Sequence, residues 1–306
     1  MPIPFVCAAG EALVDLVVTP SGEVEAVLGG SVFNTARALG RLGVPVAYRG
    51  SLSTDRFGDR LHAGLVSDGV MVDDVDRVAA PTTLALAEIG VDGAAAYRFY
   101  VADTSVPLWE ATTTSAAPIV FTGGLGLVLE PMATGVTELV YAAAGRSAAV
   151  MIDINARPAL IDDLGSYRQR VLELCAHAWV VKVSDDDLEV LFPGRDALTA
   201  ANDIVDAGSG AVVLTRGSGG VTIVSHEGLA TVAVPPVEVV DTIGAGDTFD
   251  AGFLAWWFEQ PAHAVTAARP PSHADLVAAC SFGVAAAAVT VGRRGANPPH
   301  RSDLDL

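Results

Sequence analysis

The chain has 306 residues, 51% of them hydrophobic, enough for one large core. Its 36 acidic against 18 basic residues give a formal charge of −18, which repels nucleic-acid backbones and anionic membranes within a Debye length of roughly 10 Å. Three scattered cysteines, Cys7, Cys175 and Cys280, exclude a disulfide framework or a CxxC metal site and fit a reducing cytoplasm.

Taken in chain order, the N-terminal MPIPFVCAAGEALVDLVV has no basic leader, and Glu11 and Asp15 break its apolar run, so it makes a poor signal peptide. From Leu13 to Leu28, strand-like LVVT, a Pro20-Ser21-Gly22 turn and EVEAVL form a hairpin pattern. Asn34 to Leu42 suits a helix, and VPVAYRG (44 to 50) a buried strand. From Thr82 to Asp103 two antiparallel strands are expected around Val91-Asp92-Gly93, because Asp-Gly between alternating segments favours a hairpin turn. PIVFTGG (118 to 124), AAVMIDI (148 to 154), AWVVKV (178 to 183) and AVVLT (211 to 215) are apolar on both faces, as in a sheet covered on both sides. Gly165 to Ala176, Asp185 to Leu191 and Ala197 to Ala207 suit the crossover helices between them. Leu276 to Val291 is the most hydrophobic long segment, yet it falls short of the ~20 residues that span a bilayer. The expected fold is a single α/β domain over residues 1–306: a doubly wound, mainly parallel sheet with helices on both faces. Insertions at about 13–28 and 82–103 would form a small β lid.

The chemistry concentrates in DTIGAGDTFDAGF, Asp241 to Phe253. Gly244-Ala245-Gly246 leads into an apolar helical run, so unpaired N–H groups and the positive end of the helix dipole face outward, where a phosphoryl group would fit. Asp247 on the first turn would then take the proton of an attacking alcohol. An ordinary N-terminal cap is the competing explanation of the same residues. No Walker loop, no GxGxxG after the first strand, no GxSxG and no HExxH occurs, and the six histidines are dispersed.

Read together with GGSVFNTARALGRLG (29 to 43) and GSLSTDRFGDRL (50 to 61), the turn resembles the ribokinase-like (PfkB) family of carbohydrate kinases, in which D-T-x-G-A-G-D is the most specific element. The resemblance covers nearly the whole chain. It implies that the first strand ends in a sugar-binding acid, placed here at Asp15, with Gly30 and Asn34 binding the same sugar; a helix cap is the other explanation of Asn34. MIDINARP carries the D-x-N-x-R arrangement of the family's fructokinase-like and ketodeoxygluconate-kinase-like members, and puts Asn155 and Arg157 at a strand's carboxyl edge. Arg157 would bind the transferred phosphoryl or the substrate, unless it forms a surface salt bridge. VVKVSDDDLEVL departs from the family's N-x-x-E, with Ser184 for the asparagine and Asp187 for the glutamate.

The resemblance implies that Lys182 and Ser184 lie at the nucleotide and that Asp187 reaches magnesium through water, although an acidic helix start explains Asp187 equally. TRGSGG would approach the nucleotide through Thr215, Gly217 and Gly220, or is a plain hairpin turn. Asp241 and Ile243 are candidate potassium ligands. Gly244, Ala245, Gly246 and Asp247 would perform the transfer, with Gly246 also on the nucleotide. The implied activity moves the γ-phosphoryl of ATP to a primary hydroxyl of a small sugar, with fructose at O6 ahead of 2-keto-3-deoxygluconate. A catalytically inactive sugar or nucleotide sensor is the reading from another class. The family's arginine after the lid's Phe-Tyr is absent, since Val101 follows Phe99-Tyr100. Lid edges would also allow a homodimer, because exposed strands invite pairing.

Overall fold

A computed structural model of the protein describes residues 5–89, 95–111, 116–260 and 270–304. The strands in chain order are β1 (Val6–Ala9), β2 (Leu13–Val18), β3 (Val24–Gly29), β4 (Val46–Arg49), β5 (Ser51–Ser53), β6 (Asp76–Val78) and β7 (Leu84–Ile89). They continue with β8 (Ala95–Tyr100), β9 (Ile119–Gly123), β10 (Ala149–Asp153), β11 (Val180–Ser184), β12 (Ala211–Thr215), β13 (Val221–Ser225) and β14 (Gly228–Val232). The α-helices among the described residues are α1 (Ser31–Arg41), α2 (Arg56–Ser67), α3 (Met132–Gly145), α4 (Leu164–Cys175), α5 (Asp185–Leu191), α6 (Ala197–Asp206), α7 (Ala245–Phe258) and α8 (His273–Val291).

The main sheet has eight strands in the order β14-β13-β12-β11-β10-β9-β1-β4. From β4 to β12 every pairing is parallel, and β13 and β14 close one edge antiparallel. Alternation along a strand divides the core in two. In β10, Ala149 and Met151 pack with residues of α1, α7 and α8, while Val150 and Ile152 pack with residues of α3, α4 and α6. The doubly wound arrangement follows from strands that are apolar on both faces. Strand order reverses at β1, between β4 and β9, and the crevice at the carboxyl ends of strands beside such a switch is where open α/β sheets bind ligands.

Two hairpins, β2–β3 and β7–β8, join through a parallel β2–β7 pairing into a separate four-stranded sheet, β3-β2-β7-β8. This is the lid. Asp15 lies within β2, paired with Val27 and Ala85, so the acid expected at the end of the first strand belongs to the lid. The main sheet's first strand ends at Ala9 because Gly10 adopts φ 158 and the chain leaves toward the lid. The expected Val91-Asp92-Gly93 turn lies outside the described residues.

The helix expected from Asn34 starts at Ser31, with Gly30 (φ 106) as its N-cap, so Asn34 stands inside the first turn and does not cap it. Helix α7 buries Phe249, Phe253 and Trp257, a stripe at four-residue spacing whose members each contribute roughly 2–3 kcal/mol of burial. Helix α8, at 19 residues, is long and apolar enough to cross a membrane by length and composition. It serves instead as a core helix against α7. An ideal Cβ on Gly252 would lie 2.9 Å from the Gly283 Cα, and one on Gly283 would lie 2.8 Å from the Phe249 carbonyl oxygen.

Candidate active site

The turn before α7 has the form its glycines require. Gly244 adopts φ 75 as the N-cap, and a Cβ there would also lie 2.7 Å from the Cβ of Ala296. The Ala245 N–H donates to the Thr242 carbonyl at 3.2 Å, so it is not free as expected. The Gly246 and Asp247 N–H groups, by contrast, have no acceptor among the described residues and lie at the helix's positive end.

Asp247 does not cap its own helix, contrary to the simpler explanation of its position. Its carboxylate reaches across to α1: Oδ1 accepts from the Ser31 hydroxyl at 2.9 Å, and Oδ2 accepts from the Asn34 amide nitrogen at 2.8 Å. The Thr35 hydroxyl donates to the Asp247 carbonyl at 3.2 Å. Burial pushes the Asp247 carboxyl up to about 6, against the pull of the Asn34 and Ser31 hydrogen bonds. Each carboxylate oxygen keeps a lone pair beyond the one already used.

The helix that holds Asp247 is itself held by Glu11, at the switch point. The Glu11 Oε1 accepts from the Ser31 backbone N–H at 2.9 Å, and the same oxygen lies 2.6 Å from where a Cβ on Gly124 would stand. Burial raises the Glu11 carboxyl to about 7, with backbone hydrogen bonds and the Arg157 charge opposing. Glu11 Oε2 and Asn34 Oδ1 are buried acceptors without a protein donor.

Asp15 shares this cleft. Burial first, and the charge of Asp247 second, raise its carboxyl to about 6, while Arg157 pulls it down. Its Oδ2 crosses β3 at Gly29, where an ideal Cβ would lie only 2.0 Å away. The structure thus brings together Asp15, Gly30, Asn34, Arg157 and the glycine turn. Arg157 follows Asn155, which adopts φ 39, and its guanidinium donates to the carbonyls of Asn155 and Ala156 at 3.3 and 3.0 Å. The surface salt bridge is not what holds it.

Lys182 in the middle of β11 and Asp153 at the end of β10 are register partners, and their buried side chains pair at 3.0 Å. The Lys182 ammonium lies 3.2 Å from where a Cβ on Gly246 would stand, immediately behind the glycine turn. Asp187 is committed to structure. Its Oδ1 accepts from the Ala156 N–H at 2.7 Å, and its Oδ2 from the Ser184 N–H and hydroxyl at 2.9 and 2.7 Å, completing a capping box on α5. The acidic helix start therefore accounts for Ser184 and Asp187. Direct coordination by Asp187 would be limited to the remaining lone pair of Oδ1.

Thr215, Gly217 and Gly220 form the β12–β13 connection, with both glycines at positive φ (50 and 94). Asp241 accepts from the Ile243 N–H at 3.0 Å and the Gly295 N–H at 2.8 Å, tying the loop before the turn to the chain after α8. Ile243 is exposed. Among the described residues no group of three or more His, Cys, Asp or Glu side chains could hold a metal ion.

Two site residues, Glu11 and Ser31, and two buried acids behind the glycine turn, Asp153 and Asp250, escaped the sequence-based assignment of roles. Asp153 and Lys182 were visible as charges inside apolar strands, and Asp250 as an acid in an apolar helix one turn beyond Asp247. Ser31 carried no such signal, because its partner is 216 positions away.

The family model described as pfkB family carbohydrate kinase matches residues 4–303. A fructokinase of Rhizobium leguminosarum bv. trifolii is 33% identical over 262 residues, covering 82% of this chain and 79% of that protein. Fructokinase-1 of Zea mays is 30% identical, covering 99% and 96%. The crystal structure of fructokinase with bound ATP from Xylella fastidiosa superposes with a TM-score of 0.87 at 26% identity, covering 95% of this chain and 93% of that one.

Proposed function

The chain belongs to the pfkB family of carbohydrate kinases, and we propose that it is a fructokinase, transferring the γ-phosphoryl of ATP to O6 of D-fructose. The similarity to fructokinases supports the substrate. The observation that carries the reading is the buried Asp247 carboxylate, held by Ser31 and Asn34 beside the unpaired N–H groups of Gly246 and Asp247, with Asp15 in the same cleft.

Asp15 binds sugar hydroxyls from the lid side. The orphaned acceptors Glu11 Oε2 and Asn34 Oδ1 suit two more hydroxyl donors, since a buried polyol needs a partner for each group. Asp247 takes the O6 proton as the O6–phosphorus bond forms and the bond from γ-phosphorus to the bridging oxygen breaks, releasing ADP. The Gly246 and Asp247 amides stabilise the charge on the transferring group, and positioning supplies much of the acceleration. A magnesium ion arriving with the nucleotide, which Asp187 would reach through water, would neutralise phosphate charge. Lid closure excludes water, the competing acceptor.

Thr215, Gly217 and Gly220 would line the nucleotide, and the Asp241–Ile243 loop is the proposed place for a potassium ion, checked by comparing rates in potassium and sodium salts. Exposed Val24 on β3 and Tyr97 and Tyr100 on β8 support a homodimer through the lid, which sedimentation would read.

The decisive experiment is a coupled assay with saturating MgATP across fructose, ribose, 2-keto-3-deoxygluconate and nucleosides. Fructose is expected to give the highest kcat/KM; no turnover of it removes the substrate assignment. Asp247→Asn is expected to lower kcat by at least ~10²-fold with sugar binding retained. Calorimetric binding of sugar and nucleotide without any product would instead identify a sensor.

A further inference from the structure

Behind the glycine turn lies a group of charges that the transfer just described does not use. Asp153 and Asp250 are fully buried and Lys182 is 6% exposed. The Lys182 ammonium contacts Asp153 Oδ2 at 3.0 Å, while Asp153 Oδ1 and both oxygens of Asp250 have no N–H or hydroxyl donor. A carboxylate stripped of water and given no donor is far costlier than its neutral acid.

We propose that Lys182 is a positioning charge for phosphoryl transfer, acting through the backbone of Gly246, and that Asp250 remains a neutral carboxylic acid so that Asp153 alone opposes it. The geometry gives both halves of this inference. The ammonium stands directly behind the turn, at the 3.2 Å that a Gly246 side chain would have to share. Were Asp250 ionised, two carboxylates would face one ammonium, and the group would carry net negative charge beneath the place where an anion must bind. With Asp250 protonated the group is neutral, and its positive member lies nearest the turn. Burial, then the neighbouring Asp153 charge, raise the Asp250 carboxyl well above its ordinary range, with Lys182 opposing. Burial pulls the Lys182 ammonium down, while the Asp153 charge and its hydrogen bond to the ammonium hold it up. Asp247 is the other titratable group facing Asp250.

The inference about Lys182 rests on the kinase reading; that about Asp250 does not. Infrared difference spectroscopy at pH 9, where Glu11, Asp15 and Asp247 are ionised, should show a protonated-carboxyl stretch in the wild type that is missing in Asp250→Asn. No such band, or one that survives the substitution, overturns the assignment. Asp250→Asn, which copies a neutral acid, should keep kcat close to wild type; a large loss also overturns it.

Lys182→Met alone strands a buried carboxylate and risks the fold, so the working variant is Lys182→Met with Asp153→Asn. It should lose about 10- to 100-fold in kcat, at or below the loss of one oxyanion donor, with the fructose KM unchanged. By calorimetry it should bind MgADP normally but MgADP with aluminium fluoride, a mimic of the transferring phosphoryl, more weakly by a similar factor. Normal kcat, or equal weakening of both complexes, rejects the role of Lys182. If the wild type phosphorylates no sugar, the kinase reading fails while the infrared band still answers for Asp250.

Discussion

As the proposed base, Asp247 has to be ionised, yet it is 9% exposed, and its two α1 donors offset the cost of burying the charge. A hydrogen bond to a charged group is worth about 1.5 kcal/mol or more, close to one pKa unit. Ser31→Ala should therefore move the acid limb of kcat/KM upward from about pH 6 by about one unit and leave the sugar KM nearly unchanged. A limb that stays in place would show that Ser31 does not tune the acid. Stability moves with the same proton. Because the folded-state value of about 6 lies above the ordinary 3.8, the folded chain binds the proton more tightly than the unfolded one. Its contribution is greatest below pH 4, declines between about pH 4 and 6, and stays low above. Asp247→Asn should accordingly melt higher than wild type at pH 8, by up to about 3 kcal/mol, and lose that advantage at pH 4. Calorimetric melts of the unliganded protein at the two pH values measure it.

Helix α7 carries both the acid and the free amides, so its seat on α8 fixes where they point. Gly252 and Gly283 let the two backbones approach to a distance that no side chain permits. Gly283→Ala should destabilise the protein by about 1–3 kcal/mol through overpacking and lower kcat beyond what lost folded protein explains, read by urea unfolding beside active-site titration. The sheet strands were legible because burial on both faces leaves uninterrupted apolar runs, as in AVVLT. The start of α1 was not. Sequence reading looks for a side chain that caps, whereas here a glycine at φ 106 turns the chain and Glu11 satisfies the Ser31 N–H from another element. Asp15 was recognised as an acid of the site but placed on the wrong strand. Its run GEALVDLV spans the end of one sheet and the beginning of another, and only the parallel β2–β7 pairing separates them.

Across the whole molecule, the pairing of Asp15 with Asp247 could be anticipated from spaced motifs, because a polyol and a phosphoryl call for recognisable residue types. The partners inside the site could not. Ser31 to Asp247 and Lys182 behind Gly246 are contacts set by how the sheet and helices close on one another. Lid and acid also meet at a single residue: β3 ends at Gly29, Gly30 turns, and α1 begins at Ser31. A Cβ on Gly30 would lie 2.8 Å from the Glu11 carbonyl oxygen as well as sitting at positive φ. Gly30→Ala should cost more than about 1 kcal/mol of stability and raise the share of ATP lost to water for each sugar phosphorylated; an unchanged share would mean that the two move independently. With so short a connection, a sugar that draws the lid inward would also set the grip on the acid. Fuel and acceptor would thereby be matched before any phosphate is spent, and a cell starved of the acceptor would keep its nucleotide.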